Sequence, residues 1–370
     1  MIAIQWIISA LVAAVVIIAA AVGGGGGFTR LKSIHSIRKL TDYEDYNLYR
    51  MDIDYAYDLD RLIDRGITDN QSMINAILAE ALPYLPIHMK APNFGCSAFC
   101  TQGTDGHTLM GRNYDFKNDT SAMLVYCTPK DGYASVAFAA LDNINANTPD
   151  ASMAKKLATL TAPFICLDGM NEKGVSIAVL TLDSDPTYQQ TGKPMIATTL
   201  AIRLVLDRAA TTAEAVELLS KYDMFASSGR DYHFYITDAS GDGRVLEYDC
   251  NDPAPPLTGT PSRSVTNFFV MYKDNVLPNQ RNGVYGHGRE RYDAIEEILD
   301  ANAGSIDREI AWQALQAASQ APNPQDVTSN TQWSILYDNT ALTAEAVIRR
   351  DWNTKTSYNL VSNVAVTDVG

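Results

Sequence analysis

From Cys96 onward the chain alternates short strand-forming runs with Asp- and Gly-containing turns, and two pairs of helical segments interrupt them. Residues 109–114, 122–127 and 134–139 read as strands, with Asp105-Gly106 and Asp131-Gly132 as turn dipeptides between them. Residues 175–182 form another strand, entered through the turn at 171–174. Helical spacing follows over 194–209 and 212–222, the second with Thr211 or Thr212 as N-cap. A hairpin is expected over 232–237 and 244–248, then helices over 289–299 and 306–318, and late strands over 333–337 and 344–349. Strands and helix pairs in this order predict an α+β fold in layers. A chain of 370 residues, 46% of them apolar, is long enough to bury a large core.

The first 95 residues have a different texture. Residues 2–22 are almost wholly apolar, and about 20 such residues span a bilayer. No Lys or Arg precedes the run, as one would in a secretory signal, whereas Arg30, Lys32, Arg38 and Lys39 follow it. Residues 1–27 are therefore read as a membrane anchor or signal segment with a glycine linker at 23–27. The positive-inside rule alone would put the following side in the cytoplasm, while an exported, extracytoplasmic enzyme fits the rest of the reading, so orientation stays open. Residues 28–95 read as a helical prosegment. It is tyrosine-rich at first, then amphipathic over 72–82 through Met73, Ile74, Ile77, Leu78 and Leu82, and it closes on Pro83, Pro86 and Pro92.

The formal charge is −14, from 29 basic and 43 acidic residues, which argues against nucleic acid as a partner. The cysteines are Cys96, Cys100, Cys127, Cys166 and Cys250, with no CxxC pair. Histidine spacing indicates no metal site, and no phosphate-binding glycine pattern indicates a cofactor.

Chemistry concentrates in Gly95-Cys96-Ser97 and the following Gly111-Arg112-Asn113-Tyr114-Asp115. A cysteine becomes a strong nucleophile as a thiolate, and it needs a base. Arg112 and Asp115 lie on the second strand of a hairpin that starts at Cys96, so both could return beside the sulfur. A guanidinium favours the thiolate. His107 sits beside the Asp105-Gly106 turn, and the other histidines, His35, His88, His233 and His287, carry no local Cys–His signature. A break before Cys96 would supply another base, an α-amino group of pKa about 7.7–8.0.

The stretch resembles the choloylglycine hydrolase family, which holds bile salt hydrolases and penicillin V acylases, and the related acid ceramidase-like amide hydrolases. That family shows a nucleophilic Cys, a DG turn and then GRNxD. Here Cys96 to Arg112 is 16 residues and Arg112 to Asp115 is three. Four further blocks agree in order: Asp168 to Gly174, which resembles the family's DGxNEKG turn, Val265-Thr266-Asn267, Glu290-Arg291-Tyr292, and Thr331 to Asn339, which resembles its closing strand region. The resemblance implies a four-layer αββα N-terminal-nucleophile hydrolase over 96–370, acting on linear amide C–N bonds without a cofactor. It implies Cys96 as nucleophile with its freed amine as base, Arg112 favouring the thiolate and Asp115 holding the amine. It also implies Asn267 as oxyanion donor and Arg291, rather than the neighbouring Arg289, completing the charge network. Without the resemblance, Arg112 and Asp115 would read as a surface ion pair and Asn267 as a turn residue.

Thr181 stands where bile salt hydrolases carry Asn, beside the substrate, and leaves the acyl amide substrate open. Asn267 to Arg291 spans 24 residues, short of the insert that supports tetramers in that family, so a homo-oligomer of that kind is in question. The long prosegment is more like that of the acid ceramidase-like members. Two other readings stand beside the amidase: an acyltransferase in which an amine intercepts the same thioester, and an uncleaved, membrane-tethered, non-catalytic homologue.

Overall fold

In the computed structural model the described residues are 26–82, 94–116, 119–182, 184–185, 191–226, 229, 231–252, 257–281, 283–323 and 330–369. The apolar run at 2–22 lies outside them, as do Pro83, Pro86, Pro92 and His88. Among the described residues no helix is long and apolar enough to cross a membrane.

Two sheets face each other. The first runs, in spatial order, Arg38–Lys39, Leu48–Ile53, Ala122–Cys127, Ser135–Ala140, Cys166–Asn171, Ser176–Thr181, Tyr232–Thr237, Gly243–Glu247 and Thr258–Pro261. Its middle strands are covered on both faces, which is why Ala122–Cys127 and Ser176–Thr181 are nearly continuous apolar runs instead of alternating ones. The second sheet runs Ser264–Val265, Phe94–Gln102, Thr108–Phe116, Thr331–Asp338, Thr343–Ile348, Thr354–Asn359 and Val364–Val369.

The helix Thr198–Arg208 packs on the outer face of the first sheet, against Cys166–Asn171 and Ser176–Thr181. The helices Arg289–Ala301 and Arg308–Ala318 pack on each other and on the outer face of the second sheet. The result is the helix–sheet–sheet–helix sandwich that the family resemblance implies. Its apolar core divides accordingly. Met110, Tyr114 and Trp333 join the main core between the sheets, while Phe99, Leu109, Leu299 and Trp312 form a second core under the outer helices. Phe99 lies opposite Gly111 in the ladder, and a Cβ at Gly111 would sit 2.4 Å from the Phe99 ring.

Four expectations change. Residues 28–95 are not purely helical. The helices Leu59–Asp64 and Asn70–Ala81 are present, the latter opened by an Asp69–Ser72 capping box. Between the N-terminal helix and these, however, Leu48–Ile53 is a buried strand running parallel to Ala122–Cys127 inside the first sheet. The glycine linker is shorter than read, since Gly26 already begins the helix Gly26–His35; a first turn needs no intrahelical N–H partner and tolerates glycine there. The segment read as one helix from 194 opens with the strand Met195–Ala197, drawn into a parallel pair with Asp223–Phe225. Asp168 and Gly169 lie within a strand and not a turn, which starts only after Asn171.

Candidate active site

Period-two alternation sets the directions. Along Phe94–Gln102, Cys96, Ala98 and Cys100 face the core between the sheets, and Phe99 faces the outer helices. Cys96 is fully buried and unpaired, and it stands opposite Tyr114 in the ladder. Its main-chain nitrogen donates to Oδ1 of Asn267 at 2.8 Å. Its carbonyl accepts from Nη1 of Arg291 at 2.7 Å, and Nη2 of the same guanidinium donates to Asn267 Oδ1 at 2.8 Å. Asn267 in turn donates through Nδ2 to the Thr181 carbonyl at 2.7 Å. With two donors on one side and a carbonyl on the other, the amide orientation of Asn267 is fixed by its partners.

Local geometry explains how Asn267 and Arg291 meet. Asn267–Phe268 pairs with Gly286–His287, and Gly288 then caps the helix Arg289–Ala301. Gly288 has φ +87°, a conformation that favours glycine, and a Cβ there would lie 2.4 Å from Nη2 of Arg291 and push the guanidinium aside. Arg289 is turned elsewhere, to Asp293 at 2.7 Å and the Lys273 carbonyl at 2.7 Å.

Arg112 and Asp115 are three residues apart on one strand, so they leave it on opposite faces and do not form the ion pair that the bare sequence suggests. Arg112 points between the sheets on the side of Cys96, where its charge favours the thiolate, and pairs with Asp168 at 2.7 Å, both side chains fully buried. Asp168 also accepts from Tyr337 Oη at 2.6 Å and Trp333 Nε1 at 3.2 Å. Sequence reading missed this partner because Asp168-Gly169 looks like the start of a turn; a carboxylate directly after the apolar run 162–167 was the signal available. Asp115 points to the outer helices, where it accepts from Thr331 Oγ1 and Gln320 Nε2, each at 2.6 Å, and lies 3.5 Å from Arg291.

Burial pushes the Cys96 thiol up to about 11; the Arg112 guanidinium opposes the shift, and the Asp115 carboxylate adds to it. In the uninterrupted chain the thiol is therefore protonated at neutral pH in spite of Arg112. Burial also raises Asp115 above the ordinary carboxylate range, with Arg291 pulling it back. Two of the described histidines are engaged elsewhere. His107 pairs with Asp338 at 2.8 Å, and His233 is buried against Glu247 and the Thr266 carbonyl. Among the described residues no cluster of His, Cys, Asp and Glu could hold a metal ion. A cavity of about 550 Å³ lies further along the Cys96 strand, lined by Cys100, Thr101, Gly243 and Arg263 among others, and Cys96 is not part of its wall.

Residues 96–252 match the model of the linear amide C–N hydrolases, choloylglycine hydrolase family. The match takes in Cys96, Arg112, Asp115, Asp168 and Thr181; Asn267 and Arg291 lie beyond it. Among solved structures, a mutant of the conjugated bile acid hydrolase from Clostridium perfringens superposes with a TM-score of 0.52 at 16% identity, covering 74% of this chain and 96% of that one. Penicillin V acylase from Agrobacterium tumefaciens gives 0.51 at 18% identity, covering 71% and 85%. At such identities the likeness is one of fold.

Proposed function

The chain belongs, through residues 96–252, to the choloylglycine hydrolase family of linear amide C–N hydrolases, and on that premise we propose that it cuts itself before Cys96 and then hydrolyses N-acyl amides through a Cys96 thioester. The observation that carries this reading is the double grip on Cys96. Asn267 holds the nitrogen that would become the α-amine, and Arg291 holds the carbonyl on the other side.

Self-cleavage needs the thiol to attack the Gly95 carbonyl. The C–N bond breaks, the thiol proton passes to the departing nitrogen, and water then hydrolyses the Gly95 thioester. The new α-amine has a pKa near working pH, so it serves as base where the buried thiol alone could not. In turnover it takes the thiol proton as sulfur attacks the acyl carbonyl and returns it to the leaving amine; water releases the acid. Arg112, held by Asp168, faces the sulfur as it gains charge. Asn267 spends one Nδ2 hydrogen on the Thr181 carbonyl and keeps the other for the tetrahedral oxyanion, a contact worth roughly 3–4 kcal/mol. On this reading Thr181 would lie beside the reacting carbonyl.

The substrate we propose has a large apolar acyl group, with residues 2–22 as a membrane tether that holds the enzyme near it. Intact mass and N-terminal sequencing of the wild type beside Cys96→Ala test the first step. Acid release from penicillin V, a glycine-conjugated bile salt and a fatty-acyl ethanolamide tests the second. A new N-terminus at Cys96 in the wild type alone, with acid released from any of the three, supports the reading. A full-length wild type inert to all of them sinks it.

A further inference from the structure

We infer that His233 is a positioning residue for Asn267, acting with Glu247 as a clamp on the segment that carries it; this rests on the amidase reading above. His233 lies on Tyr232–Thr237 and Glu247 ends the neighbouring strand Gly243–Glu247, and both side chains are fully buried. Their contact is 3.1 Å, from Nδ1 to Oε2. The other ring nitrogen, Nε2, meets the Thr266 carbonyl at 2.9 Å. A carbonyl can only accept, so Nε2 carries a proton there.

Thr266 immediately precedes Asn267. On the far side of Asn267 the Glu247 carboxylate accepts from the Val270 nitrogen at 3.1 Å and the Met271 nitrogen at 2.8 Å. The pair thus grips the main chain on both sides of Asn267. The same Thr266 donates through Oγ1 to the Gly288 carbonyl at 2.9 Å, at the cap of the helix bearing Arg291. One ring position therefore sets the segment of Asn267 and, through Thr266, the start of the Arg291 helix. Asn267 itself reaches Cys96 on the opposite sheet. The carbonyl that accepts from its Nδ2, that of Thr181, comes from the strand next to His233, with Thr181 paired to Tyr232. The clamp fixes Asn267 to the first sheet while its side chain works on the second.

Stability alone gives little reason for such a pair. Buried ionisable groups lose solvation, and a well-packed apolar pair of the same volume is often as stable or more so. What an apolar pair could not do is hold a carbonyl and two amides at set positions around Asn267.

Two variants of the full chain separate the contacts. His233→Gln carries its amide nitrogen to the Nε2 position and keeps the bond to Thr266. His233→Asn reaches only the Nδ1 position and loses it. With whichever of the three probes the wild type turns over best, His233→Asn should lose up to about 10²-fold in kcat, the scale of a 1 Å misplacement at a reacting centre. Its KM should stay nearly constant, and His233→Gln should recover most of the loss. Hydrogen exchange in the peptide 264–271 should quicken in the Asn variant and not in the Gln variant. Equal kcat and equal exchange in the two variants would overturn the clamp, as would a loss that merely tracks the folded fraction in both. A wild type without turnover on any probe sinks the amidase reading instead, and hydrogen exchange then still decides the clamp.

Discussion

The main-chain nitrogen of Cys96 donates to Oδ1 of Asn267 across 2.8 Å, although 171 residues separate them. This bond joins the second sheet to a segment anchored on the first, at the nitrogen that self-cleavage would release. Asn267→Ala removes the acceptor for Cys96 and, with it, the proposed donor to the oxyanion. Processing and acyl-amide turnover should each fall by about 10²–10³, the cost of losing an oxyanion donor. Time courses on gels and acid release measure the two. An Asn267→Ala chain that processes and turns over at wild-type rates would remove Asn267 from the mechanism.

Arg112 owes its position to Asp168. Burial works against the Arg112 charge, but Cys96 and Asp168 outweigh it, so the guanidinium stays ionised. Asp168→Ala would leave that cation buried and unpaired, and it would strand the hydroxyl of Tyr337 and the indole N–H of Trp333. Loss of one partner of a buried pair costs about 3–5 kcal/mol. Urea unfolding should show that loss, and iodoacetamide should label Cys96 more slowly in the folded variant than in the wild type. Unchanged stability would mean that the pair is replaceable by solvent or by repacking.

How much of this could be read from the sequence depended on distance along the chain. The 16-residue interval from Cys96 to Arg112 is a local hairpin, and its register follows from a single turn at Asp105-Gly106. The strands at 122–127 and 134–139 also showed in their apolar runs. Leu48–Ile53 did not, because Arg50 and Asp52 interrupt its pattern. Arg50 is nonetheless buried, since its guanidinium meets Asn363, 313 residues later. His233 and Glu247 likewise look like ordinary strand residues until pairing brings them together around Thr266. Arg112 and Asp115 read in sequence as neighbours beside the sulfur, but period-two alternation sends them to opposite faces, and their separate partners, Asp168 and Thr331, lie too far along the chain to be read.

His107 offers a pH readout away from the site. Its hydrogen bond to Asp338, then the charge of that carboxylate, raise its pKa above the ordinary 6.5; Asp105 adds slightly and Arg308 opposes. A raised imidazole pKa stabilises the fold fully below the unfolded value of about 6.5, and that contribution is lost as pH rises through the folded value. Nuclear magnetic resonance titration should place His107 above 6.5 in the wild type and return it toward 6.5 in Asp338→Asn. A wild-type midpoint at or below 6.5 would contradict the pairing.

If cleavage occurs before Cys96, the residues ahead of it should not leave. Leu48–Ile53 sits between Arg38–Lys39 and Ala122–Cys127, with Leu48, Met51 and Ile53 in the main core. Tyr55 donates to the Leu160 carbonyl at 2.5 Å, and Tyr57 to Asp207 at 3.0 Å. Tyr43 reaches Asp351 at 2.7 Å beside the second sheet. Departure would uncover the edge of Ala122–Cys127, an apolar strand with a row of unpaired main-chain groups. The segment therefore behaves as part of the folded enzyme instead of a propeptide to be shed. After processing, the two pieces should run together on size exclusion in native buffer and separate only in denaturant. Met51→Asp should loosen their association and lower the melting temperature of the cleaved protein. Free elution of the N-terminal piece, with the remainder still folded and active, would show that the first sheet tolerates an open edge at Ala122–Cys127.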